Sequence, residues 1–423
     1  MNEHRKEIMQ NVYLTYLPAR KFKTSCLSAQ LVTQLDAATA SYNALTPAVL
    51  HRGTVRCPDM EQLSAAMDRL YGAEISPSCR KRGERQCVGF VGTVIDDCFA
   101  PGGEQLLEPT AALLGELLLD PVTQRGRFVS EYVDSEKAHL IDAIRSIRND
   151  KRDWADRRLI QEMCAQEPYG VSRWGEEENV KKINHQNLYQ HYHTLLSQSR
   201  VELFYCGSAE QARVSDALLQ AFAALPRGKA EIWQPMEKHP VRGEVRRITE
   251  HMDVTQGKLA MGLRCASEDA PAMMLVNLLF GGWSNSKLFL NVREKLSLCY
   301  YASSSYARSK GIMTVSSGIE SRDYDRAVEE ILHQLQAIQS GDWEDWELEG
   351  ARTTMLSALS SLGDSQGSLE NYYLGQAATD RNESPEELAR MLQAVTPERI
   401  RAAAETVAVD TIYFLKGKEE AEA

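Results

Sequence analysis

The order of elements in this chain begins twice, and that repetition limits it to folds built from two similar halves. In the second half an apolar strand, KLAMGLRC, leads to an apolar helix, APAMMLVNLLF, then a glycine turn, another helix and two strands. The first half runs through a like series. LHRGT at residues 50–54 and LFGGW at residues 279–283 each end an apolar helix and precede a second one. Setting Leu63 against Leu288 places Met67 opposite Val292 and Ile75 opposite Tyr300 without a gap, and brings residues 87–95 near GIMTVSSGI at 311–319. The letters agree faintly and the order agrees well, which predicts an α+β fold of two similar halves facing one another.

Between the halves, residues 226–256 turn to Gly, Lys, Pro and Arg with little periodicity, as a linker and an entering strand would. The expected division is therefore a domain at 1–225, a linker at 226–245 and a second domain at 246–423. Within the first, strands are expected at 11–17, 21–28, 73–79, 87–95 and 201–207, with helices near 44–50, 60–70, 105–119, 184–196 and 209–224. A long charged stretch from 129 to 164 reads as a helix interrupted near Asn149, covering a sheet with one face.

At 423 residues the chain exceeds the roughly 250 to 300 at which one core stops growing, so two domains suit its length as well as its pattern. A net charge of -11 argues against a nucleic-acid binder, which needs a concentrated basic surface. The densest basic cluster in the first half, RKRGER at residues 80–85, reads as a solvated turn between two strands. No run approaches the about 18 apolar residues of a membrane span, and the amino terminus lacks the apolar core of a signal peptide. Nine cysteines without a CxxC pair, mostly inside apolar segments, read as reduced core residues of a cytoplasmic protein.

Residues 281–300, GGWSNSKLFLNVREKLSLCY, carry the chemistry. Two glycines are expected to free a tight turn, Ser284 or Asn285 to cap the following helix, and Leu288, Phe289 and Val292 to form its buried face. Arg293 falls near the end of that helix and Tyr300 at the start of the next strand. A guanidinium is a permanent multi-donor cation for carbonyl or carboxylate oxygen, and a phenol donates to a carbonyl that is gaining negative charge. No two of the nine histidines stand four residues apart, so no HExxH or HxxEH zinc motif exists. His191 and His193 face about 200° apart on a helix and read as exposed side chains.

The glycine pair, the KLF, the VREK and Tyr300 seven residues after Arg293 resemble the carboxy-terminal signature of the pitrilysin/insulinase metallopeptidases. EYVDSEK, NDKRDWADRR, EPYG and the closing TIYFLKG are similar to that superfamily as well. The resemblance implies two homologous domains, each an antiparallel sheet covered by helices, arranged as a half-clamshell. It also implies a zinc site of two histidines, a glutamate base and a later glutamate. The positions of His, Glu and His are here Ala44, Pro47 and Ala48, so no metal is expected in this chain. Glu136 stands at the later ligand and Glu131 beside it, both expected to be solvated. By the same resemblance Arg293 and Tyr300 contact the substrate peptide from the domain opposite the zinc. The chain is thus expected to be the catalytically deficient subunit of a heteromeric zinc peptidase, zinc being carried by an HxxEH-bearing homologous partner. The alternative is a non-enzymatic peptide-binding or scaffold protein of the same fold, possibly a homodimer.

Overall fold

Two mixed sheets, each in its own compact unit, organise the computed structural model, which describes residues 4–241 and 243–417. The first contains β1 (Arg5–Met9), β2 (Val12–Pro18), β3 (Thr24–Gln34), β4 (Glu74–Arg82), β5 (Arg85–Ile95) and, later in the chain, a strand at Arg200–Gly207. A two-residue pair, β6 (Thr123–Gln124) and β7 (Arg127–Phe128), comes before that last strand, which is β8. The second sheet contains β9 (Arg246–Met252), β10 (Gly257–Cys265), β11 (Cys299–Ala307), β12 (Ile312–Ile319) and β13 (Val407–Gly417).

The duplication is visible in the strand order. The first sheet runs β1-β2-β8-β3-β5-β4, and the second, taken from its β9 edge, runs β9-β13-β10-β12-β11. Setting β1 aside, the sheets match strand for strand, and β4 and β5 correspond to β11 and β12 as the gapless alignment requires. Neither sheet is wholly antiparallel as expected, because β2 lies parallel to β8 and β9 parallel to β13.

The compact units are not continuous in the chain. The first takes the chain up to Arg145 together with Val171–Pro235 and Leu362–Asn382, and the second takes Ser146–Gly170, Met236–Ser361 and the remainder. The long charged stretch breaks where the sequence suggests, into helices Ser130–Ser146 and Lys151–Met163 joined by a short 3₁₀ turn. Asp150 restarts the helix by accepting hydrogen bonds from the backbone N–H groups of Arg152 and Asp153. The first of these helices belongs to the first unit and the second to the other.

Burial follows the period of two along β3. Leu27, Ala29 and Leu31 join the main core of the first unit with Leu113 and Leu117, while Cys26 and Val32 belong to clusters completed by Tyr373, Leu374 and Ala378 of helix Gln366–Ala378. That helix also brings Glu370, which receives two hydrogen bonds from Arg80 at 2.6 and 2.8 Å and one from Ser28 at 2.9 Å. The RKRGER cluster does form the β4–β5 turn, with Gly83 at φ +57°, but it is not solvated throughout. Arg85 is 1% exposed and donates to the Gln234 carbonyl at 2.6 Å, with its guanidinium over the Trp233 ring. Distant acceptors created burial that local composition does not reveal. In the second unit, Ala155 and Leu159 of helix Lys151–Met163 pack against Ala260, Tyr413 and Leu415.

All nine cysteines are free thiols; seven are buried, Cys79 is half-buried and Cys98 is exposed. Among the described residues no helix is long and apolar enough to cross a membrane.

Candidate functional site

Ala44, Pro47 and Ala48 lie on helix Ala40–Leu50, Ala44 and Pro47 buried within it. None offers a metal donor. Pro47, in the helix interior, also lacks the N–H that would reach the carbonyl four residues back. Beyond the helix end, Arg52 places Nη1 3.1 Å from Glu136 Oε1, and His139 Nδ1 lies 3.2 Å from the other carboxylate oxygen. Glu136 is therefore engaged rather than solvated, with its side chain 13% exposed, while Glu131 is exposed as expected. The Arg52 guanidinium also lies 5.0 Å from the Tyr132 ring centroid. These residues do not fit a zinc ion: the helix supplies no ligand, and the remaining carboxylate already has a cation. Among the described residues no group of three or more His, Cys, Asp or Glu could hold a metal.

His191 departs from its expected exposure. Its Nε2 is 2.6 Å from Asn43 Oδ1 on the same degenerate helix, and burial pulls its pKa down to about 4, so the ring is neutral near pH 7. His51 is likewise depressed by burial and bonds the Ile75 carbonyl at 2.7 Å.

The Arg293 segment is built differently. Residues Leu278–Gly282 and Leu288–Lys295 are π-helical, and Leu296 donates to the Asn291 carbonyl five residues back at 3.1 Å. Neither Gly281 nor Gly282 has a positive φ, so the expected conformational reason for the pair does not apply. Closeness replaces it: a Cβ on Gly281 would stand 2.6 Å from the Ser304 nitrogen and 2.8 Å from Leu288 Cδ1. The cap is also shifted, since Ser286 Oγ, not Ser284 or Asn285, accepts from the Phe289 N–H, at 3.4 Å.

Leu288 and Val292 are buried, and Asn291 Nδ2 donates to Gln334 Oε1 at 3.0 Å, which fixes the roll of the helix. Lys287 and Glu347, both largely buried, form an ion pair at 3.3 Å just before it. Arg293 then projects to solvent with its side chain 42% exposed, stacked at 4.7 Å over Phe289 and 3.6 Å from the exposed Glu294. Phe289, expected in the buried face, is instead half-buried beneath that guanidinium.

The chain next reverses through Ser297, a non-glycine residue at φ +51°. It enters edge strand β11 with a bulge: Cys299 pairs with Ile319 and Tyr301 with Gly318, leaving Tyr300 as the extra residue, 68% exposed. A bulge re-aims a side chain that regular pairing would hold in the pleat. Arg293 and Tyr300 are thus both presented to solvent by one short segment of irregular backbone.

The sequence reading did not single out Arg52 as a partner of Glu136. The available signal was its place four residues, one helical turn, after Ala48.

A duplicated α+β molecule with alanine, proline and alanine at the helix positions of the metal motif, an arginine exposed near the end of a π-helix and a tyrosine exposed on the second sheet's edge strand has the outline of a peptidase-like protein without a metal-ligand cluster among the described residues. Residues 182–355 match the family described as "Peptidase M16 inactive domain". The chain is 34% identical over 405 residues to the "Probable inactive metalloprotease YmfF" of Bacillus subtilis (strain 168), covering 95% of each protein. It is 23% identical over 236 residues, 54% of this chain and 56% of the other, to the "Uncharacterized zinc protease YmxG" of that strain. A solved structure of a conserved protein from Enterococcus faecalis V583 superposes with a TM-score of 0.89 at 26% identity, covering 99% of each chain. The chain belongs to the peptidase M16 family, the pitrilysin/insulinase metallopeptidases whose motifs it resembles, as a homologue of their inactive members.

Proposed function

We propose that this protein is the non-catalytic subunit of a heteromeric zinc peptidase and holds the substrate peptide through Arg293 and Tyr300. The observation that carries the reading is the exposure of both side chains on a segment shaped by a π-helix, a left-handed residue and a bulge. Local irregularity of this kind costs stability, and functional segments are where folds retain it. A separate HxxEH-bearing homologue carries the zinc and its chemistry in this reading. Relatives of both kinds, one named inactive and one named a zinc protease, exist in a single strain of Bacillus subtilis. Arg293 orients a backbone carbonyl or a carboxylate, and Tyr300 donates to a carbonyl, so the contribution is positioning. The assembly is placed in the cytoplasm.

Affinity capture of the chain from its native cell tests this. The expected result is a co-purifying HxxEH chain and peptidase activity abolished by chelator. Arg293→Ala with Tyr300→Phe lowers the kcat/KM of that complex at least tenfold while leaving assembly and melting temperature unchanged. The reading fails if the chain alone binds stoichiometric zinc and cleaves peptides, or if the double variant keeps full activity. Capture of a homodimer without chelator-sensitive activity supports the scaffold alternative instead.

A further inference from the structure

The edge strand that carries Tyr300 is held on one face by the helix Lys151–Met163, and a carboxyl is enclosed beneath that hold. β11 lies at the outer edge of the second sheet, hydrogen-bonded to β12. After the bulge, Tyr301 pairs with Gly318 and Ser303 with Ser316, so the period of two turns Tyr301 and Ser303 to one face. Arg152, in the first turn of the helix, reaches both. Its Nη2 donates to Ser303 Oγ at 3.0 Å, and its guanidinium lies 4.3 Å from the Tyr301 ring centroid.

Asp156 stands one turn further along the same helix. Its Oδ1 is buried without a hydrogen-bond partner among the described residues, and so is the Tyr301 hydroxyl. Ser316 of β12, itself buried, lies beside both groups. Burial raises the pKa of Asp156 to about 6 and raises that of Tyr301 as well. The other charges around Asp156 oppose one another: on its own helix Asp150 and Asp153 favour the neutral carboxyl and Arg152 the ionised one. From β10, Lys258 Nζ stands 6.0 Å from the Tyr301 ring centroid and donates to Gln256 Oε1 at 2.8 Å. Glu250 of β9 is taken up by Trp154, Arg158 and Tyr413.

A buried carboxyl with an unpartnered oxygen is tolerated when neutral and costly as an anion. Opening of the strand that covers it supplies water, and an edge strand, paired on one side, opens with the smallest loss of hydrogen bonds. Ionisation therefore favours any opening of β11 that wets Asp156. We propose that β11 is a proton-controlled latch, closed over Asp156 by Arg152 and Tyr301 while the carboxyl is neutral and opening more readily once the carboxyl ionises. The folded pKa lies above the unfolded one, so this contribution to closure is complete below about pH 4 and is lost as pH rises through 6. Tyr300 directly precedes Tyr301, so the latch sets the order of the segment that presents it. That consequence for a bound peptide rests on the function proposed above; the latch itself does not.

Hydrogen exchange of the full chain tests this, read by mass spectrometry on peptides covering β11 and β13 at pH 4.5 and 7.5 and divided by the intrinsic rate at each pH. β11 should be less protected than β13 at both pH values, and its protection should fall at least about tenfold between them. Asp156→Asn should remove that fall and protect β11 at pH 7.5 as the parent does at pH 4.5. Arg152→Gln, at an exposed residue, should lower β11 protection at pH 4.5 by about threefold or more with the melting temperature unchanged. The proposal is overturned if β11 is equally protected at both pH values, if folded Asp156→Asn keeps the fall, if folded Arg152→Gln protects β11 as the parent does, or if β11 and β13 exchange together, which would place the opening in the whole unit. Each of these outcomes leaves the proposed peptide contact standing, because that contact is read from the activity of the paired complex.

Discussion

At Glu136 a guanidinium occupies the place that the family resemblance gives to a metal. Arg52 at 3.1 Å neutralises the carboxylate without a metal ion. Returning donors to the helix is therefore insufficient: Ala44→His, Pro47→Glu and Ala48→His should give at most weak zinc binding while Arg52 remains. Adding Arg52→Ala frees the third carboxylate, and zinc affinity measured by titration should rise at least tenfold; an unchanged affinity would refute the role given to Arg52. A second residue concerns stability. Asp156, on the helix facing the second sheet, has its pKa raised to about 6 by burial, against opposing contributions from Ser316 and Arg152. Its folded value lies above the unfolded one, so its contribution is fully present below about pH 4 and is lost as pH rises through 6. Asp156→Asn should then stabilise the protein by on the order of 1–3 kcal/mol at pH 8 and by almost nothing at pH 4. Urea titrations at the two pH values measure the difference, and an equal effect at both would remove the titration argument. The missing zinc donors were legible at Ala44, Pro47 and Ala48 because absence of a donor is a property of the letter. The engagement of Glu136 by Arg52 and the burial of Asp156 were not, because each depends on which distant segment covers the helix.

Among the elements, the one carrying Arg293 shows how far spacing reaches. Leu288 and Val292 are four residues apart and both buried, which a helical reading foresees, but π-winding changes the turn and leaves Phe289 under Arg293 instead of in the core. A pair four residues apart spans one turn of either winding about equally well, so Leu288 and Val292 do not distinguish them. The glycine pair was legible as a constraint and misread as to kind. Gly281 is needed because β11 passes close to it, and Gly281→Ala would push against the Ser304 backbone, which has no side chain to swing away. That substitution should cost about 1–3 kcal/mol in urea unfolding. A variant as stable as the parent would show that the π-helix and β11 separate easily, and the support for Tyr300 would have to be sought elsewhere.

For the whole molecule, the repeat made two sheet-containing units legible, and the shared strand order confirms the repeat at a level where few letters agree. Which unit each covering helix joins was hidden. An amphipathic helix declares that it has an apolar face, but Ala155 and Leu159 would suit almost any sheet, and so would Tyr373 and Leu374. The fold resolves this by exchange: Ser146–Gly170 joins the second unit and Leu362–Asn382 joins the first. Neither half of the chain therefore contains a complete core. A fragment of residues 1–225 would leave Cys26, Val32, Cys87 and Phe204 without Tyr373 and Leu374, would strip Arg80 and Ser28 of Glu370, and would carry Lys151–Met163 with no sheet to cover. Burial of an arginine without its carboxylate adds to the lost apolar contact. That fragment should show helical far-UV dichroism, weak near-UV dichroism and a broad urea transition. Co-expression with residues 226–423 should restore one complex with a sharp transition, since the exchange needs both segments but no peptide bond between the halves. A fragment 1–225 that unfolds sharply by itself, with the near-UV spectrum of the intact first unit, would mean that helix Gln366–Ala378 is dispensable and that the exchange does not hold the fold together.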